Sequence, residues 1–113
     1  MRDTLYLLRS GFSDEGQTWF CPYAAQVVGM LTYYPRLRET LDVVELDFAK
    51  PRYPVATMLG LDKQSLPVLV LGAGSPGAVT DVKVANAGGV RYVSKTIEIL
   101  RYLAATRGLP APH

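Results

Sequence analysis

Five consecutive residues, Pro67-Val68-Leu69-Val70-Leu71, carry no polar side chain, and this run constrains the fold more than any other stretch of the chain. Side chains of a strand alternate between two faces, so a strand that is apolar at every position is covered on both. The chain has 113 residues, 49% of them hydrophobic, which suits one compact core and not two. A single domain spanning 1–113, with helices flanking one sheet, is the expectation.

The other segments supply that cover. Thr4 to Leu8 reads as a buried strand that ends in a loop from Arg9 through Gly16. Cys21 and Pro22 open a segment in which Ala24, Val27, Val28, Leu31 and Tyr34 line one helical face. Pro22 suits a first turn, where its missing N–H has no partner to lose, and Pro35 marks the far end or a kink. Leu37 and Leu41 extend the helical character by another turn. Val43 to Phe48 alternates as a second strand until Pro51 and Pro54 break it, and Val55 to Leu59 forms a short helix stopped by Gly60. Gly72 to Gly89, rich in Gly, Ala, Ser, Pro and Asn, reads as an exposed, mobile insertion loop with at most a minor strand around Val82 and Val84. Val90 to Val93 gives a fourth strand. Ser94 stands where it would cap a last helix from Lys95 to Arg107, which Gly108 and Pro110 end. The predicted order is βαβα followed by ββα, an α/β fold with a four-stranded mixed sheet.

Charge and residue counts exclude several function classes. The formal net charge is only +2 and the cations are interspersed with acidic and apolar residues, so neither nucleic acid nor an anionic membrane is expected as the principal partner. Met1 to Leu8 lacks the long apolar core of a secretory signal, which predicts a cytoplasmic protein. A single cysteine rules out an internal disulfide, and a single histidine, His113, leaves neither a Cys/His zinc set nor a Ser/His/Asp triad. No metal site is expected. Gly72, Gly74 and Gly77 spell G-x-G-x-x-G after a strand, but no long helix and no later acidic residue follow in the places a dinucleotide needs.

Cys21 is therefore the candidate reactive atom. Unpaired N–H groups and the positive end of the macrodipole at a helix start favour negative charge on a thiol placed there, which makes it a nucleophile. The alternative is a small buried hydrophobe packed beneath Trp19 and Phe20. Both readings stay open on the residues alone.

Three local patterns resemble the thioredoxin-like superfamily, in its glutaredoxin and glutathione-transferase N-terminal branch. Cys21-Pro22-Tyr23-Ala24 looks like the glutaredoxin C-P-Y-C motif with alanine in the last place. Ser65-Leu66-Pro67-Val68 is similar to the cis-proline element before the third strand. Gly88-Gly89-Val90 through Ser94-Lys95-Thr96 into Ile99-Leu100-Arg101-Tyr102-Leu103 resembles the transferase turn, strand, Glu-Ser pair and terminal helix. The chain also resembles a small bacterial family of thioredoxin-like proteins.

This resemblance implies a thioredoxin-like fold with Cys21 as catalytic nucleophile and Pro22, Tyr23, Leu66, Pro67, Lys95 and Thr96 as ligand-binding residues. Glutathione is the implied cofactor, with a small thiol or peptide-like ligand as partner. Ala24 removes the resolving thiol, so any exchange is monothiol and needs an outside thiol to complete it. Lys95 stands where the family carries Glu, which reverses a charge in the glutathione site. An iron–sulfur cluster shared by two chains is a lesser variant. The rival reading is a non-catalytic binding or assembly module, with Tyr33, Tyr34, Tyr53 and Tyr102 as material for a partner or homodimer surface.

Overall fold

A computed structural model describes residues 2–113. Among them five strands form one mixed sheet and two more form a separate hairpin. In chain order the elements are β1 (Thr4–Leu8), β2 (Phe12–Asp14), β3 (Gln17–Trp19), α1 (Pro22–Tyr33), a 3-10 turn (Pro35–Glu39), β4 (Asp42–Leu46), α2 (Val55–Leu59), β5 (Val68–Val70), β6 (Ala85–Ala87), β7 (Val90–Val93) and α3 (Thr96–Arg107).

The sheet order is β4-β1-β5-β7-β6. β1 runs parallel to β4, with Tyr6 opposite Val44, and antiparallel to β5, with Leu5 opposite Leu69. Period-two alternation then sorts the side chains into two cores. Leu5, Leu7, Leu69, Leu71 and Val93 meet Val27 and Leu31 of α1 and Ile99, Tyr102 and Leu103 of α3. Tyr6, Val68, Val70 and Tyr92 on the opposite face meet Val55 and Leu59 of α2. The unbroken apolar run of β5 is thus covered on both faces, and all three of its residues are buried.

Several boundaries differ from the sequence expectation, each for a physical reason. The sheet has five strands and not four. The fifth, β6, lies inside the 72–89 insertion and pairs antiparallel with β7 through the turn at Gly88 and Gly89, both at positive φ. That insertion is tied down and not a free loop. Val79, Val82 and Val84 pack against the main core, Tyr102 Oη donates to the Pro76 carbonyl at 2.8 Å, and the Lys83 N–H donates to Glu98 Oε1 at 2.7 Å. Residues 12–19 form the β2–β3 hairpin where a loop was expected, its tight turn made by Glu15 and Gly16 at positive φ. Leu37 sits in the 3-10 turn, which Pro35 separates from α1. Lys95, not Ser94, occupies the N-cap of α3, and no side chain caps it.

Candidate functional site

β1 and β4 are parallel, so their C-terminal ends open on the same edge of the molecule, the edge where α/β folds place their ligands. Three loops converge there. The β2–β3 hairpin leaves the end of β1 and delivers Phe20 and Cys21 to the start of α1. The segment after β4 carries Phe48 and Arg52. Phe12 of the hairpin stacks on Phe48 with ring centroids 4.5 Å apart, which joins the two. The third loop, before β5, carries Gln64.

Cys21 is the N-cap residue of α1. Its backbone is extended, its carbonyl accepts the Ala25 N–H at 3.1 Å, and its side chain makes no cap bond. Pro22 follows at the first helical position, and no acidic side chain lies in the first turn to neutralise the dipole. The thiol is half-buried, packed against the main core on one side and open on the other. Trp19 and Phe20, which precede it, are 45% and 64% exposed, and Phe20 lines one cavity with Cys21.

Arg52 is the group that sequence reading did not single out for the site. Its Nε and Nη2 donate to the Phe48 carbonyl at 3.0 and 2.8 Å, and its Nη1 donates to the Gln64 carbonyl at 3.1 Å. The guanidinium lies 5.4 Å from the Phe48 ring centroid. Gln64 is buried. Its Oε1 accepts the Arg52 N–H at 2.6 Å and its Nε2 donates to the Leu61 carbonyl at 2.8 Å. Arg52 is therefore held by carbonyls and by an aromatic face, with no carboxylate to cancel its charge. Burial lowers its proton affinity below the ordinary arginine value. Arg52 and Cys21 stand on loops that open at the same edge of the sheet. No local sequence pattern signals this placement, because 31 positions separate residues 21 and 52.

The other candidates are spread around this edge. Tyr23 is 57% exposed beside Cys21. Leu66 packs against the α2-side core and Pro67 is buried behind it. The Leu66–Pro67 bond is cis, as are Lys50–Pro51 and Tyr53–Pro54. Lys95 is exposed at the start of α3, and Thr96 is its first residue. A cavity of about 320 Å³ that Cys21 lines contains none of Leu66, Pro67, Lys95 or Thr96. Ser65 and Ser94, their neighbours, line a separate 260 Å³ hollow with Lys63 and Tyr92. Arg9 pairs with exposed Asp47. Tyr102, named for a partner surface, is completely buried. Among the described residues no group of three or more His, Cys, Asp or Glu side chains is placed to hold a metal, and no helix is long and apolar enough to cross a membrane.

Residues 2–111 match the model of a family described as "Protein of unknown function (DUF3088)", and the chain belongs to that family. No curated protein and no solved structure is matched.

Proposed function

We propose that this DUF3088 protein is a thioredoxin-like, monothiol oxidoreductase of the reducing cytoplasm in which Cys21 exchanges with disulfides and glutathione completes the cycle. The observation that carries the reading is the placement of a half-exposed thiol at the N-cap of α1, on the edge where the Arg52 guanidinium is held by carbonyls and not by a carboxylate. The parallel β1–β4 pair followed by antiparallel β5 and β7 supports the fold assignment.

The chemistry balances with one cysteine. The Cys21 thiolate attacks one sulfur of a glutathionylated substrate, RS–SG, forming Cys21–S–SG and releasing RS⁻, which takes up a proton. A second glutathione thiolate attacks the mixed disulfide, returns the electron pair to Cys21 and leaves as oxidised glutathione. In this reading Leu66 and Pro67 border the groove for the extended tripeptide, Pro22 and Tyr23 form its near wall, and Lys95 with Thr96 meets a ligand carboxylate.

Glutathione-dependent reduction of a glutathionylated peptide tests the proposal. Wild-type protein turns over, Cys21→Ser does not, and Arg52→Met, which keeps the packing volume, slows turnover roughly tenfold by removing about 1.4 kcal/mol of charge stabilisation. Folded wild-type protein without turnover sinks the redox reading.

A second reading has its own observation. Trp19, Phe20, Tyr23, Tyr33 and Tyr53 are each between 45% and 81% exposed, more aromatic surface than one small site uses. On that reading the chain is a binding module, and Cys21→Ser leaves its concentration-dependent sedimentation unchanged.

A further inference from the structure

The cavity beside Cys21 has a composition that thiol exchange does not require. It measures about 320 Å³ and lies between α1 and the β1–β4 edge of the sheet. Cys21, Ala24, Ala25 and Val28 line it from the helix, a spacing of three, four and seven that puts them on one face. From Cys21 to Val28 the helix rises about 10 Å. The hollow exists because the helix offers two alanines to Leu7 of β1 and Val43 of β4 across the gap, too little side chain to fill it. Its walls are thus mostly aliphatic, with Phe20 beside the thiol and Ser10 adding one hydroxyl.

Two charges stand at its border, Glu45 on β4 and Arg38 from the 3-10 turn. They carry opposite signs yet form no ion pair with each other, and among the described residues neither side chain has a hydrogen-bond partner. Arg2, Arg9 and Arg107, by contrast, are each paired with an aspartate. An apolar hollow rimmed by one free cation and one free anion complements a ligand with an apolar body and both charges on one small head, which describes an α-amino acid.

We infer that this cavity binds an apolar α-amino acid, its side chain between α1 and β4, its carboxylate on Arg38 and its ammonium on Glu45. The volume lies at the lower end of small-ligand sites, the size expected for a leucine or phenylalanine side chain with its head group at the rim. The inference does not depend on Cys21 reacting, since the sulfur serves here only as part of the wall.

Calorimetric titration with L-phenylalanine, 3-phenylpropionate and phenethylamine tests it, because the three share a ring and differ only in which charges they carry. L-Phenylalanine binds about tenfold more tightly than either singly charged analogue, as expected for one additional charge-assisted contact. Arg38→Gln lowers L-phenylalanine affinity about tenfold and leaves phenethylamine unchanged, and Glu45→Gln does the reverse for 3-phenylpropionate. Ala25→Leu fills the hollow and removes binding; Ala25 is exposed, so the variant keeps its thermal transition, and Val28→Phe provides a second filling. Cys21→Ser still binds, which separates this inference from the proposed redox activity. Equal affinity for the three compounds, no binding at about 10 mM, or binding that survives both filling substitutions overturns it.

Discussion

The two ends of β1 show opposite ways of using polar groups. At its start Asp3, 2% exposed, is surrounded by donors. The Gly72 N–H donates to Oδ1 at 2.8 Å, Ser75 Oγ donates to the same oxygen, and Arg107 Nη2 reaches Oδ2 at 3.0 Å. Arg107 in turn donates from Nε to Thr40 Oγ1 at 3.1 Å, and Arg91 donates to the carbonyls of Gly72 and Ser75. This network ties β1, the 72–89 insertion and α3 together. At the other end of the strand a guanidinium has no carboxylate, a helix has no side-chain cap and aromatic rings face solvent. One end is satisfied internally and holds the fold; the other leaves its interaction capacity free, which is what a ligand site requires.

The sharpest way to break this comparison is Asp3→Ala. Removing the carboxylate leaves Arg107 largely buried without its partner and the Gly72 N–H without its acceptor, at a cost of about 3–5 kcal/mol. Urea unfolding measures it, and the early loss of amide protection in residues 72–89 localises it. A loss under about 1 kcal/mol would show that the clasp is no stronger than a surface pair and that the two ends do not differ in kind.

A smaller effect at the same end depends on pH. Burial, and then the Asp3 carboxylate, raise the Tyr102 hydroxyl above its ordinary value of 10.0. The folded state therefore holds this proton more tightly than the unfolded chain. Stability from neutral Tyr102 is complete below the unfolded value and is lost as pH rises through the higher folded value. Tyr102→Phe gives up the bond to the Pro76 carbonyl, about 1 kcal/mol near pH 8, but has no proton to lose. The gap between variant and wild type narrows above about pH 10 and can reverse. Tyr6, also raised by burial and then by Asp42, is present in both proteins and cancels in the comparison. A gap independent of pH would mean that Tyr102 ionises without penalty and that this end is wetter than its packing implies.

Legibility of the sequence follows the same division. β1, α1, α2, β5, β7 and α3 are readable because each presents apolar residues at the period of its own backbone. β6 is not, because Ala85-Asn86-Ala87 has weak strand propensity and owes its place to a Gly88-Gly89 turn that folds it back on β7. The β2–β3 hairpin hides behind Asp14-Glu15-Gly16, which looks like loop composition although its two central residues supply the positive φ a tight hairpin needs. At the site, Cys21 and Pro22 announce themselves through helix-start chemistry. Arg52 and Gln64 have no local signature, since what defines them is each other, 12 residues apart. The same holds for Asp3 and Arg107 at opposite ends of the chain. Local periodicity encodes elements, whereas pairings between distant polar groups exist only once the elements are assembled.

The smallest expected change is the most informative about Cys21. Serine is among the best N-cap residues, because its hydroxyl accepts an N–H from the first helical turn, here that of Tyr23 or Ala24. Cysteine at this position makes no such bond. If the residue were there for the helix, serine would serve better, so Cys21→Ser is expected to stabilise the protein by about 0.5–1 kcal/mol while abolishing the proposed thiol turnover. That combination, a gain in stability with a loss of activity, marks a position held by its chemistry against the preference of the backbone. Chemical unfolding of the two proteins measures the difference directly. A loss of stability would mean that contact between the sulfur and the core outweighs the cap, in which case Cys21 belongs with the packed end of the molecule and the contrast between the ends of β1 fails at the residue where it matters most.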